Sequence, residues 1–243
     1  MTNVKLFAHR GSCTMCPENT MAAFRQALRE GADGIELDVR MSRDGYVVVI
    51  HDRTVTRTTN GRGTVAGLTL EQLQSLDAGS WYNEACKDEK IPTLEEVLQW
   101  IQSTELELNI ELKTEDDPYP GIEQAVLDLI NEYVLQDRIV LSSFNIETLK
   151  RLRELDASVK LAYLISEQTE EAVTKALSLK SDLHCQLSFM KTEEAEKAVQ
   201  EGIAIRLYTV NEAEELISIN LNYIEAVITD ALGVLQKAFK VGS

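Results

Sequence analysis

A chain of 243 residues is long enough for one α/β barrel or for two smaller domains. Its 44% hydrophobic and 26% charged content is ordinary globular composition and argues against disorder. The formal net charge of −16 argues against nucleic acid and anionic membrane surfaces as partners. It does not argue against a small anionic substrate, because a metal ion or local basic groups can reverse the field.

The N-terminal stretch MTNVKLFAHRGS has no signal-peptide core. No run approaches the roughly 18 apolar residues of a membrane span. A cytoplasmic protein without stable membrane association is therefore expected, with monomer and homo-oligomer both left open. Four cysteines, Cys13, Cys16, Cys86 and Cys185, do not amount to a disulfide scaffold at this length.

In chain order, Val4 to Ala8 is a short apolar run ending at His9-Arg10-Gly11. A helix follows over Asn19 to Glu30, with Phe24, Ala27 and Leu28 at helical spacing and Gly31 as its stop. Within Gly34 to Asp52, Ile35, Leu37 and Val39 alternate with Glu36, Asp38 and Arg40, so a strand sends both carboxylates to one face. Asp44-Gly45 reads as a two-residue type I′ hairpin turn. That turn would place Asp38 opposite His51 and gather Glu36, Asp38 and His51 on one face.

From Arg53 to about Lys90 the chain is Thr- and Gly-rich, broken by a short helix over Thr69 to Leu76 whose Thr69 and Gln72 form a capping box. Residues 53–90 read as an insertion. A regular alternation then resumes. Thr93 and Glu96 cap a helix running to Ser103, and strands are expected at Glu107–Lys113, Ile139–Phe144, Lys160–Ile165, Leu183–Ser188, Ala204–Val210 and Ala226–Thr229. Helices are expected between and after them, at Gly121–Val134, Ile146–Asp156, Thr169–Leu179, Thr192–Glu201, Glu212–Ile219 and Leu232–Phe239. With the hairpin's return arm counted as a side branch, eight strands each lead into a helix. This is the pattern of a (β/α)8 TIM barrel in one domain spanning 1–243, with an open doubly wound sheet as the competing architecture.

A barrel carries its active site at the C-terminal ends of its strands. His9 and Arg10 end the first strand, Glu36 and Asp38 the second, and Glu111 and Lys113 the third. Any one of these acids alone would be read as a solvated face. Three acids converging with two histidines and a lysine favour a metal site, and oxygen ligands favour Mg²⁺ or Ca²⁺ over Zn²⁺. His9 and His51 suit general acid and base work, and Arg10 and Lys113 suit an anionic oxygen. Phe144 and Tyr208 could wall a small-molecule pocket, although aromatics there are more often core. Of the three histidines, His184 has the weakest claim to function. Cys13-Thr14-Met15-Cys16 has the spacing of a redox pair or half a zinc site, but no second C-x-x-C exists to complete one.

Ordered motifs run nearly the length of the chain. They are His9-Arg10-Gly11, Pro17-Glu18-Asn19-Thr20, Gly31-Ala32-Asp33, Ile35-Glu36-Leu37-Asp38-Val39, Asp44-Gly45, His51-Asp52, Arg57-Thr58-Thr59 and Leu76-Asp77-Ala78-Gly79-Ser80-Trp81. Ile91 to Val97, Asn109-Ile110-Glu111-Leu112-Lys113, Ser142-Ser143-Phe144, Tyr208-Thr209-Val210-Asn211 and Ile228-Thr229-Asp230 complete the series. In this order the chain resembles the bacterial-type glycerophosphodiester phosphodiesterases. The resemblance implies a TIM barrel with an insertion after its second strand. It also implies a divalent cation on Glu36, Asp38 and Glu111, an acid/base pair in His9 and His51, and phosphate contacts from Arg10 and Lys113. The implied reaction is hydrolysis of glycerophosphodiesters to sn-glycerol 3-phosphate and an alcohol. Lysophospholipase D chemistry on lipid, a catalytically silent phosphodiester-binding barrel, and a metal-dependent isomerase or aldolase are the competing readings. The chain departs from the usual family pattern at Tyr208, Cys185, Ala231-Leu232 and the Cys13–Cys16 loop, which bears on substrate preference.

Overall fold

The computed structural model describes residues 4–166 and 170–241. The first half of the chain runs β1 (Lys5–His9), α1 (Met21–Glu30), β2 (Gly34–Met41), β3 (Val47–Val49), α2 (Leu70–Ser75), α3 (Leu94–Ile101), β4 (Glu107–Leu112) and α4 (Ile122–Glu132). It continues with β5 (Ile139–Ser143), α5 (Ile146–Leu155), β6 (Leu161–Ile165), α6 (Ala172–Leu179), β7 (Asp182–Cys185), α7 (Glu193–Gln200), β8 (Ile205–Leu207), β9 (Ile224–Thr229) and α8 (Leu232–Val241). Every strand expected from the sequence is present. The start expected for the sixth helix, Thr169, lies outside the described residues. Among those residues no helix is long and apolar enough to cross a membrane.

Eight strands pair in parallel in the order β1-β9-β8-β7-β6-β5-β4-β2, and a β1–β2 pairing closes the ring. The structure is a (β/α)8 barrel, not an open sheet. β2 is longer than β1: its lower edge pairs with β1 over Gly34–Glu36, and its upper edge pairs with antiparallel β3 over Val39–Met41. The return arm is thus a side branch, and it lifts the chain above the barrel's C-terminal mouth. Residues 53–90 stand on that arm, where Val55, Val65, Leu73 and Ala78 join Val48, Ile50 and Ile91 in a small core of their own. Both predicted capping boxes form, at Thr69 with Gln72 and at Thr93 with Glu96.

Strand parity decides what enters the barrel. Ile35, Leu37, Val39, Leu108, Ile110 and Leu112 point outward into the main core beneath the helices. Glu36, Asp38, Asn109 and Glu111 alternate with them and therefore face inward. The same parity turns His184 and Arg206 into the barrel, where Arg206 lies 4.8 Å over the Phe7 ring. His184 is fully buried, and neither ring nitrogen has a hydrogen-bond partner among the described residues. Burial and the Arg206 charge hold its pKa well below the usual range. It is an interior side chain, not part of the rim.

Two expectations are corrected. The hairpin register is one residue away from the expected one: Val39 faces Val49, and the Ile50 N–H donates to the Asp38 carbonyl at 3.0 Å, so Asp38 is opposite Ile50 and not His51. The turn is a three-residue loop, Arg43-Asp44-Gly45, closed by Ser42 and Tyr46, with only Gly45 at positive φ (+90°). The helix expected over Glu212–Ile219 is only a 3-10 turn at Ala213–Leu216, followed by another at Leu221–Tyr223. Leu216 is the one buried residue of the first turn, Ala213 and Ile219 pack beside it against the main core, and Ile217 is 81% exposed; that three-residue spacing is the repeat of a 3-10 helix.

Removing a buried polar group that has no partner is close to neutral or stabilising. His184→Leu should therefore leave the thermal midpoint unchanged or raised in a melting experiment, and a marked drop would show that the ring is better satisfied than its surroundings allow.

Candidate active site

The site begins where β1 ends. Arg10 (φ 55°) and Gly11 (φ 81°) turn the chain left-handed, and the Gly11 N–H donates to the Ala8 carbonyl at 3.2 Å. A Cβ on Gly11 would meet the Ala23 backbone and Cβ at 2.8 Å, so only glycine fits there. Arg10 adopts a conformation that costs a non-glycine residue about 1–3 kcal/mol. Its contacts hold it there. The backbone N–H donates to Glu36 Oε2 (3.1 Å), Nη1 donates to Glu18 Oε1 (2.8 Å), and Nε stands 3.4 Å from Asp38 Oδ2. Asn19, also left-handed, donates from Nδ2 to Asp38 Oδ2 at 2.8 Å.

Glu36, Asp38 and Glu111 converge. Each offers one carboxylate oxygen within 4.8 Å of the others, and the three side chains are buried, with exposures of 4%, 1% and 7%. Lys113 Nζ donates to Glu111 Oε1 at 2.7 Å and lies 3.9 Å from Asp38 Oδ1. Asp38 Oδ1 and Asn109 Oδ1 are buried acceptors without a hydrogen-bond partner among the described residues. Burial and the Asp38 charge push Glu36 up to about 7 and Glu111 up to about 8. Asp38 itself is held low, because Arg10, His51, Lys113 and the Asn19 hydrogen bond outweigh its burial. Three carboxylates with an unpartnered oxygen among them fit a hard divalent cation better than they fit one another.

The two histidines stand on this cluster, each ring anchored through Nδ1. His9 Nδ1 donates to Asp230 Oδ1 at 2.6 Å, and its Nε2 lies 3.8 Å from Glu36 Oε2. His51 Nδ1 donates to Asp52 Oδ1 at 2.8 Å. Asp52 is fixed in turn by Arg57, which also makes a two-pronged contact with Glu18. Burial works against charge on both rings. At His9 the Asp230 hydrogen bond and the Glu36 charge overcome it and the pKa is raised. At His51 burial wins, with help from Arg10 and Lys113, and the pKa is lowered.

A cavity of about 200 Å³ opens among His9, Arg10, Glu36, His51, Glu111 and Lys113, and Phe144 and Tyr208 complete its wall. Phe144 meets Tyr208 edge to face at 6.1 Å and receives Lys113 Nζ at 5.7 Å from its centroid. The Tyr208 hydroxyl donates to the Ile165 carbonyl at 2.8 Å, which points it into the protein. Asp38 joins the site through its contacts to Arg10, Lys113 and Asn19. All nine residues singled out in the sequence are therefore brought together. Sequence reasoning assigned no role to Asp230, Asp52, Asn109, Asn19 or Glu18. Asn109 was accessible to it, because it shares a strand face with Glu111 two residues on.

The profile of the glycerophosphoryl diester phosphodiesterase family matches residues 9–234. A glycerophosphodiester phosphodiesterase of Caldanaerobacter subterraneus subsp. tengcongensis is 38% identical over 226 residues, covering 93% of each chain. The chain belongs to the glycerophosphoryl diester phosphodiesterase family. A phosphodiesterase of Oleispira antarctica, solved in complex with the product sn-glycerol-3-phosphate, superposes with a TM-score of 0.89 at 29% identity, covering 97% of this chain and 96% of the other. The glycerophosphodiester phosphodiesterase of Agrobacterium tumefaciens gives a TM-score of 0.83 at 27% identity, covering 96% and 99%.

Within this family member the raised carboxyl values set a pH window. An acid whose folded pKa is raised binds its proton more tightly folded than unfolded, so the metal-free fold loses stability as pH rises toward about 8. A cation must displace those protons at low pH and finds them gone at high pH. The apparent affinity for Mg²⁺ or Ca²⁺, read from the shift in thermal midpoint, should rise by roughly a hundredfold or more between pH 6 and pH 8. A pH-independent shift would contradict binding at Glu36 and Glu111.

Proposed function

We propose that the protein hydrolyses glycerophosphodiesters to sn-glycerol 3-phosphate and an alcohol. In this proposal a divalent cation rests on Glu36, Asp38 and Glu111, and His9 and His51 exchange protons with the substrate. The observation that carries it is the pair of anchored rings on one carboxylate cluster. Asp230 and Asp52 occupy the Nδ1 positions and leave both Nε2 atoms for chemistry. A protein that only bound a phosphodiester would have no use for two such rings.

Opposed pKa shifts suit the pair to acid/base work. His9 is favoured in its charged form and His51 in its neutral form, so one ring can give a proton while the other accepts one. One ring takes the proton of the attacking oxygen and the other gives one to the leaving alkoxide: attack by water yields glycerol 3-phosphate directly, whereas attack by the glycerol 2-hydroxyl yields a cyclic phosphate that a water then opens with the two rings exchanging roles. Arg10 and Lys113 border the same cavity and supply positive charge to the phosphate oxygens. Arg10 Nε is buried without a hydrogen-bond partner, which leaves it a donor for an oxygen entering beside Asp38. The cation, when bound, polarises the phosphate and offsets the charge that builds on it.

Substrate size follows from the cavity. About 200 Å³ is below the ~300–1,000 Å³ of pockets that enclose drug-sized ligands, which suits a glycerophosphate unit better than an acyl chain. Phe144 and Tyr208, with Leu164 and Ile228, supply the apolar side of that cavity.

Loss of either histidine should lower kcat by roughly a hundredfold to ten-thousandfold, the usual contribution of one positioned acid or base. The check is glycerol 3-phosphate release from glycerophosphocholine by His9→Ala and His51→Ala, with melting curves to establish that both remain folded. Full turnover by either variant would remove that residue from the mechanism.

A further inference from the structure

The Cys13-Thr14-Met15-Cys16 segment has no part in the mechanism above. Its thiols are free, and the metal-holding group found among the described residues is the Glu36, Asp38 and Glu111 cluster, which includes no cysteine. Cys13 nevertheless has a specific partner. Its Sγ donates to Asp230 Oδ1 at 3.2 Å, and that same oxygen accepts from His9 Nδ1 at 2.6 Å. The other oxygen, Oδ2, accepts from Asn211 Nδ2 at 3.1 Å, while Asn211 Oδ1 accepts from the Asp230 N–H at 2.9 Å.

We propose that Cys13 is a positioning residue for His9, acting through the Asp230 oxygen that both side chains share. The proposal rests on the acid/base role assigned to His9 above. Without Cys13 the carboxylate would be held by Asn211 on Oδ2 and by the His9 ring itself on Oδ1, so nothing independent of the ring would fix Oδ1. The thiol is a second donor on Oδ1, and it sets that oxygen, and so the direction in which His9 Nδ1 must point, independently of the imidazole. The ring then presents Nε2 at one angle to the cavity.

The loop is built to deliver that thiol. The Cys13 N–H donates to the Gly11 carbonyl (2.9 Å), and the N–H groups of Met15 and Cys16 donate to the Ser12 carbonyl (3.0 Å each). The Tyr82 hydroxyl, from the 53–90 segment, pins the Thr14 carbonyl at 2.7 Å. Burial and the neighbouring Asp230 charge raise the thiol's pKa, so the side chain stays S–H at neutral pH. In that form it is a donor and not a nucleophilic thiolate, which disfavours the redox-pair reading of the motif. A thiol is a weak donor, and an ionised acceptor strengthens the bond.

Three substitutions separate donor from shape. Cys13→Ser keeps a donor, Cys13→Val keeps approximate bulk without one, and Cys13→Ala keeps neither. Kinetics on glycerophosphocholine at saturating cation should show kcat lowered roughly three- to tenfold in the Ala and Val variants, with KM within about twofold of wild type. Serine should restore kcat above both. Full kcat in Cys13→Val, or a serine variant no faster than alanine, would overturn the proposal; melting curves identify any variant that has lost its fold, and the serine comparison still decides the case. His9→Ala keeps the two levels apart. If it retains turnover, the acid/base assignment itself has failed; if it is inactive while Cys13→Val is unimpaired, only the role of Cys13 has.

Discussion

Three carboxylates buried side by side at the mouth of a barrel constrain everything around them. Glu36, Asp38 and Glu111 crowd three carboxyl groups, each largely withdrawn from solvent, at the floor of a small cavity, against which the protein sets the Arg10 guanidinium and the Lys113 ammonium. Desolvated charges of one sign repel strongly, and the raised values of Glu36 and Glu111 express that cost. A fold retains such a cluster when something compensates it. The left-handed backbone at Arg10, the glycine at position 11 and the Asn19 bridge to Asp38 all serve to hold counter-charge and donors against these oxygens. A divalent cation is the natural completion.

The surroundings of the cluster explain how one scaffold poises two histidines differently. Both rings are partly buried and both are anchored by an aspartate. The Asp230 hydrogen bond and the Glu36 charge draw His9 toward its charged form, whereas burial, helped by Arg10 and Lys113, draws His51 toward its neutral form. The difference comes from position on the cluster. Asp52 belongs to a surface network with Arg57 and Glu18, so the 53–90 segment, through Arg57, reaches the histidine that lies just before it.

Much of this was legible in the sequence because strand parity is a strict rule. Alternation in Ile35-Glu36-Leu37-Asp38-Val39 and again in Asn109 to Lys113 fixes which side chains enter the barrel, and the repeated strand–helix alternation fixes where the strands end. The turn after β2 was misread because Asp-Gly serves both a two-residue and a three-residue hairpin. A tertiary contact distinguishes them here: Asp44 Oδ1 accepts from the Leu70 N–H at 2.9 Å, which no local pattern reveals. The segment expected as a helix at Glu212–Ile219 packs Ala213, Leu216 and Ile219 against the core at three-residue spacing, which a 3-10 turn satisfies without a longer α-helix. Asp230 was missed as a partner of His9 for a simpler reason. The two are 221 residues apart and meet only when β9 closes the ring against β1.

The central claim is that the carboxylate cluster works by holding a divalent cation beside two proton-transferring histidines. Glycerol 3-phosphate release from glycerophosphocholine, measured after EDTA treatment and again after adding Mg²⁺ or Ca²⁺, tests it most directly. No release is expected after EDTA, with recovery by one of these ions in the wild type and no recovery in Asp38→Asn. Release that survives complete cation removal, or that returns equally in Asp38→Asn, would contradict it.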